Sequence, residues 1–383
     1  MHTNKHKTLL SRFEKAIPSL IAIAIGLVIG VIIIFFTNQE NAFTAITQFF
    51  KGPFNRGLTG FGDLLYHMTP LLMTGLSVGF AYQTGLFNIG ASGQFMFGAF
   101  LAIVVGVKLQ GIVPDSILWI LALLAAGVVG ALLASIVGIL KAYRNVNEVI
   151  TCIMLKYTSM YLVNDFIKRF GVYNQMKNNT VSFSTSIPKM GLDVIFPNTI
   201  AGGGIIIGII CVVILTIVLK KTTFGFELKG VGLNRNASRY AGITEKRSII
   251  MSMVIAGLLA GMAGGMLYLS GAGNHMSVQE VLPQEGFDGI AIALLGLSDP
   301  IGIFFSAFLI AYLKLGGQAI QTLGFSPELI TMIIAMILYI SALSVLFQRL
   351  LARKRIGKIK EETEVQDASK EAEIEDETEE EAV

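Results

Sequence analysis

KKTTFGFELKGVGLNRNASRYAGITEKR, residues 220–247, is a charged, glycine-punctuated stretch between two runs too apolar for water. It carries seven of the chain's 29 Lys and Arg residues. Segments that cross a bilayer need only short connectors, so a long basic one suits docking to a soluble partner. Its flanks, residues 200–219 and 248–270, have the roughly 20 apolar residues that a helix needs to cross a bilayer core of about 30 Å. Further runs of that kind lie at 17–36, 66–82, 117–139, 149–166 and 328–347, with shorter or Gly-interrupted ones at 94–107, 287–297 and 301–315. The expected fold is all-α and polytopic, with about ten transmembrane helices, some of them broken or short.

Composition agrees with that class. Hydrophobic residues make up 53% of the 383 positions and charged residues 14%, with a mean hydropathy of +0.68. That is too little charge to clothe a soluble domain. The formal net charge of +3 hides a segregation: residues 361–383 hold 12 acids and one Lys, leaving 28 bases against 14 acids elsewhere. Cys152 and Cys211 both lie in apolar runs and read as buried small side chains, not as a disulfide framework. The first apolar run reads as a retained anchor, being about 20 residues long with no A-x-A-type cleavage site after it.

Basic residues set the orientation. With ten alternating spans and a cytoplasmic N-terminus, 19 Lys and Arg fall inside and seven outside. An odd number would part the two most basic ends, so both termini are expected in the cytoplasm. The resulting organisation is a basic N-terminal segment (1–16), a transmembrane region (17–347) containing the 220–247 connector, and a basic, then acidic, tail (348–383). The tail has almost no apolar residues and is expected to be solvated and disordered.

Polar residues beside interrupted helices are where transporters hold cargo. In GLFNIGASGQ (residues 85–94) the glycines let the backbone unwind, and Asn88, Ser92 and Gln94 offer hydrogen bonds suited to a neutral polar solute. An ordinary tight turn is the bland alternative. In PQEGFDGI (residues 283–290), Glu285 and Asp288 lead into a run too short to span. Lys156 falls in the middle of a run and needs a partner, for which Asp288 is the candidate; Lys314, nearer a span end, can snorkel to the headgroups. GLSDPIGIFFSAFLIA (296–311) echoes GLFNIGASGQFMFGAFLA (85–102), the kind of trace an internal repeat leaves.

Two further classes were weighed. An ion-coupled secondary transporter would use an intramembrane carboxylate such as Asp288 or Asp165. An intramembrane serine protease would use the G-x-S-G pattern at residues 90–93, with Ser92 as nucleophile and His275 as base, but the topology sets those two on opposite faces. The four histidines and two cysteines have no metal-ligand spacing. There is no G-x-x-x-x-G-K-[ST] motif, so ATP-driven work requires another polypeptide.

Four stretches carry a resemblance. GLFNIGASGQFMFGAFLA (85–102), YRNVNEVITCIMLKYTSMYLVN (143–164) and EGFDGIAIALLGLSDPIG (285–302) resemble permease subunits of bacterial ABC importers for nucleosides, in the wider group that also serves simple sugars and branched-chain amino acids. GVGLNRNASRYAGI (230–243) is similar to that group's cytoplasmic coupling segment. The chain departs from the group at Ser92, where relatives commonly carry Glu.

The resemblance implies a non-enzymatic transport subunit in the plasma membrane. A helix from Asn236 to Ile243 would lie in a groove on a cytoplasmic ATP-binding subunit. Gly230 and Gly232 lead into it, Ala237, Ala241 and Gly242 allow close approach, and Arg235 and Arg239 meet acidic groups. The other implied partners are a second related permease chain forming a heterodimer, an extracellular substrate-binding lipoprotein and the solute itself. No nucleic acid is expected. No cofactor is expected on this chain, ATP-Mg belonging to the partner.

Overall fold

A computed structural model describes residues 21, 24–337 and 339–340. They fall into two compact units. One contains residues 34–330; the other combines the described residues before 34 with those after 330. The expected termini, 1–16 and 348–383, lie outside the described residues.

The described residues are overwhelmingly helical: α1 (Ala24–Thr37), α2 (Ala42–Lys51), α3 (Leu58–Tyr82), α4 (Ala91–Lys108), α5 (Asp115–Arg144), α6 (Glu148–Arg169), α7 (Leu192–Ile195), α8 (Gly204–Lys221), α9 (Thr223–Leu233), α10 (Arg235–Tyr240), α11 (Glu245–Tyr268), α12 (Gln284–Leu295), α13 (Pro300–Gln321) and α14 (Pro327–Ile337). Six of them, α3, α4, α5, α8, α11 and α13, are long and apolar enough to cross a membrane. The other four expected spans fare differently. Helix α6 is 22 residues long but carries Glu148, Lys156, Asp165, Lys168 and Arg169, which dilute its hydropathy. Helix α12 has only 12 residues. Helices α1 and α14 are short within the described residues.

Within the 34–330 unit, α11 is the centre of packing against α5, α4 and α3. The reason is a seam of glycines. A Cβ on Gly257 would stand 2.3 Å from the Gly130 carbonyl oxygen, and one on Gly261 would stand 2.2 Å from that of Ala126. On the α4 side, a Cβ on Gly264 would meet the Phe95 carbonyl oxygen at 2.0 Å. Backbones that approach so closely maximise dispersion contact where lipid supplies no hydrophobic drive between helices. The opposite face of α5 (Ile117, Leu121, Leu124, Val128, Leu132, Ile136) is large, apolar and exposed, as is that of α8 (Ile210, Val213, Ile214, Ile217). These are lipid-facing stripes: small residues inside, bulky ones outside.

The helix ends gather into two poles. At one, Gln83 Nε2 donates to the Ser298 carbonyl (2.7 Å), Lys220 pairs with Asp299 (2.7 Å), Lys141 with Glu148 (2.8 Å), and Thr84 bonds Ser252. Helix α5 ends there with Asn145 in the left-handed region (φ 50°), its N–H returning to the Lys141 carbonyl. Asn147 then caps α6 by accepting from Val149 N–H at 2.9 Å.

At the other pole a two-stranded hairpin, β1 (Tyr173–Asn174) and β2 (Asn179–Thr180), is sewn to the segment after α11. Thr180 N–H donates to the Met276 carbonyl (3.0 Å), Val278 N–H to the Asn178 carbonyl (3.0 Å), and Asn164 Nδ2 to that of Gln279 (2.9 Å). Asp63 accepts from Arg56 (3.0 Å) and from the Thr199 hydroxyl (3.2 Å).

Both members of the suspected repeat begin with positive-φ turns, at Gly85 (φ 71°) and at Leu297 and Ser298 (φ 54° and 55°). Each feeds a membrane-length helix, α4 and α13.

Candidate functional site: a docking helix, a buried hub and a polar cavity

The basic connector is folded. Its glycine-rich first part is helix α9, started by Thr222, whose hydroxyl accepts from Gly225 N–H (3.1 Å). Asn234 ends α9 and caps α10, accepting from Ala237 N–H at 3.0 Å. The expected docking helix therefore begins one residue early, at Arg235, and stops at Tyr240; Gly242 at φ 81° turns the chain into α11. Asn236, Ala237, Arg239, Tyr240, Ala241 and Gly242 are exposed, Tyr240 at 95%.

Arg235 is already engaged, with Glu245 at 2.8 Å and Asn145 Oδ1 at 3.2 Å. It ties α10 to the start of α11. Gly230 faces Ser238 across the α9–α10 corner, and a Cβ on Gly232 would stand 2.3 Å from the Gln83 carbonyl oxygen. Helix α9 thus rests on the turn between α3 and α4, while α10 is clasped to α11.

The residues expected along a solute path separate into two groups. Asn88 and Gln94 exchange reciprocal amide hydrogen bonds (2.8 and 3.0 Å), and Asn88 also donates to Ser77 Oγ (3.1 Å), whose hydroxyl donates to the Ala256 carbonyl (2.6 Å). Asn88, Gln94 and Ser77 are all buried. Their polar atoms are spent on one another, joining α3, α4 and α11 into a hub. Ser92 packs against Gly286 of α12, where a Cβ would come within 2.3 Å of the Ser92 Cα, and its hydroxyl has no partner among the described residues. A serine without a bonded base is not an activated nucleophile.

The pairing expected between Lys156 and Asp288 is corrected. Asp288 pairs with Lys314 of α13 and accepts from Gln284 Nε2 (3.3 Å). Lys156 is 7% exposed; its ammonium sits 4.7 Å from the centre of the Phe287 ring and 5.4 Å from that of Tyr157. The aromatic faces serve as its counter-charge. Helix geometry explains the swap: α12 turns Phe287 toward α6 and the next residue, Asp288, toward α13. Lys314 does not snorkel to an end, and Asp165 is taken by Arg169 at 2.6 Å.

Glu285 opens onto a cavity of about 270 Å³ that the sequence did not disclose. The cavity lies between α3, the end of α11, the segment after it, α12 and α13. Its polar lining is Tyr66, His67, Asn274, His275, Glu285 and Lys314, and Pro70, Leu267 and Tyr268 supply apolar wall. Pro70 has no N–H to offer the Tyr66 carbonyl one turn earlier, so the continuous helix α3 lacks one backbone hydrogen bond at the cavity. Asn274 Nδ2 donates to Tyr66 Oη (2.7 Å) and to the Leu267 carbonyl (2.9 Å). The available signal was two titratable residues, His67 and Lys314, standing in apolar runs.

Residues 60–342 match the family described as "Branched-chain amino acid transport system / permease component". The chain is 34% identical to the nucleoside ABC transporter permease protein NupB of Lactococcus lactis subsp. cremoris, over 92% of this chain and 98% of that one. It is 35% identical to the guanosine ABC transporter permease protein NupP of Bacillus subtilis, over 88% and 95% of the two chains. A third relative, the nucleoside ABC transporter permease protein NupC of the same Lactococcus strain, is 27% identical over 64% of this chain and 78% of its own. No solved structure matches. With that family match, these relatives and six membrane-length helices, the chain belongs to the family of membrane permease components of ABC transport systems and is a multi-pass membrane protein.

Proposed function

We propose that this chain forms the translocation path for nucleosides in an ATP-driven importer, with α10 as the element that docks on a separate cytoplasmic ATPase. The observation that carries the reading is the posture of α10. It is short, capped, exposed along Asn236, Ala237, Arg239, Tyr240 and Ala241, and clasped through Arg235 to Glu245. A push on that face would pass through the clasp into α11, and through Gly232 into the turn that leads to the Asn88 hub. Because α11 and α5 touch backbone to backbone, they would move together, as rigid-body alternating access requires.

The remaining assignments follow from that one. The pole bearing α9 and α10 would be cytoplasmic, in keeping with its Lys and Arg content. The ten-span topology, with both termini inside, would be completed by α1, α6, α12 and α14. A second, related permease chain is supported by the two Lactococcus relatives, both named as nucleoside permeases. An extracellular binding lipoprotein would deliver solute at the hairpin pole. ATP-Mg would be held by the partner. Nucleoside as cargo is supported by the names of NupB and NupP.

Uptake of labelled nucleosides, sugars and branched-chain amino acids, with and without this chain, tests the reading. Nucleoside uptake that tracks ATP and survives an uncoupler is the expected result. Uptake that collapses with the ion gradient at constant ATP would overturn it.

A further inference from the structure

Two residues that line the Glu285 cavity carry polar groups with no partner among the described residues. The Glu285 carboxylate has no ion pair or hydrogen bond among the described residues, since Lys314, the cavity's cation, is taken by Asp288. His275 Nδ1 is buried and equally unpartnered. Glu285 is half-buried and lines the cavity, so its carboxylate is free to accept hydrogen bonds from a solute there. Glu285 sits in the first turn of α12. An ionised carboxylate offers two acceptor oxygens and no donor.

The cavity's chemistry narrows the ligand. An anion would meet Glu285 unscreened. A cation would find the carboxylate but also the Lys314 ammonium on the same wall. A neutral planar solute with two adjacent N–H donors fits the acceptor pair, and Tyr268 and Pro70 supply apolar wall beside it. Among nucleosides, guanine presents that pair as its N1–H and 2-amino groups. Stacking walls combined with hydrogen bonds to the pairing edge are how isolated bases are generally read.

We propose that this cavity is a base-recognition site within a single permease chain, in which Glu285 accepts the paired N–H donors of a guanine-type base. The proposal rests on the nucleoside-import reading.

The test is competition against labelled guanosine uptake by cells carrying the complete importer. Inosine lacks the 2-amino donor, and 1-methylguanosine has N1–H blocked. Each should compete roughly ten- to hundredfold less well than guanosine, the range that a hydrogen bond to a charged group commands. Glu285→Gln should erase that difference, and Glu285→Asp should keep part of it.

Equal competition by all three nucleosides in the wild type would overturn the base assignment, and needs no variant to fold. A Glu285→Gln chain that inserts normally and still discriminates would overturn the role of Glu285. A uniform loss for every nucleoside would point to ribose contact or a folding defect and would equally overturn it. Absence of any nucleoside uptake by the wild type would instead sink the import reading on which the proposal stands.

Discussion

Lys314 of α13 donates its ammonium to Asp288 of α12, three residues along from Glu285, a carboxylate with no ion pair among the described residues. Two neighbouring acids on one short helix therefore have separate tasks. Asp288 holds α12 to α13, and Glu285 faces open space. Breaking a buried pair from one side strands a charge and typically costs about 3–5 kcal/mol, whereas removing both partners is far milder. Lys314→Met should therefore lower thermal stability sharply, and Lys314→Met with Asp288→Leu should recover most of the loss. Melting temperatures of the purified complex check this; a double variant as unstable as the single would mean that the pair is not the source.

The α5–α11 seam makes a sterically strict prediction. A Cβ on Gly257 has only 2.3 Å to the Gly130 carbonyl oxygen, so even Gly257→Ala must part the two backbones. A cost of about 1–3 kcal/mol is expected, as for other overpacked sites. Leu124→Ala, on the exposed face of α5, should change stability by about 0.5 kcal/mol or less. Comparable losses at both positions in a thermal-shift series would contradict the seam.

The hub residues can be separated from solute contacts by kinetics. Asn88→Leu would leave Gln94 and Ser77 without their shared partner, at about 1–3 kcal/mol for each buried group stranded. Less mature protein should reach the membrane, while whatever does insert should keep the wild-type KM for nucleoside. A raised KM at normal abundance would move Asn88 back onto the solute path.

Docking through α10 predicts uncoupling without misfolding. Gly242 turns the chain at φ 81° with open space around it. A leucine there would strain the backbone by about 1–2 kcal/mol and tilt the exposed helix. Gly242→Leu should leave membrane abundance near normal, lower uptake severely, and disconnect ATP hydrolysis from transport in reconstituted complexes. Arg235→Ala, which opens the clasp to Glu245, should weaken coupling in the same direction. Full uptake in both variants would remove α10 from the power stroke.

Helical class, membrane residence and the special character of residues 220–247 were all legible in one dimension. Bilayer thickness imposes a length on apolar runs, and charge is excluded from them, so both leave marks that need no neighbours to read. The end of α5 and the start of α6 are set just as locally, by Asn145 and Asn147, although the sequence reading singled out neither residue. The hinge at residues 85–90 was recognisable from its glycines, but its polar side chains were not where an open site would have them. Asn88 and Gln94 can be read as solute ligands or as mates of each other, and the residues alone do not choose between those uses.

Pairing is what the chain order concealed. Whether Asp288 meets Lys156 or Lys314 depends on which way a 12-residue helix is rotated between α6 and α13. That rotation is set by the close contacts of Gly286 with Ser92 and of Gly289 with Thr74, partners far away along the chain. The same contacts set the cavity, whose wall draws on residues from Tyr66 to Lys314. Hydropathy and charge are properties of single residues and short windows, so they fix class and membrane residence. Which polar group is satisfied and which is left to face a ligand is a property of packing, and only the assembled helices determine it.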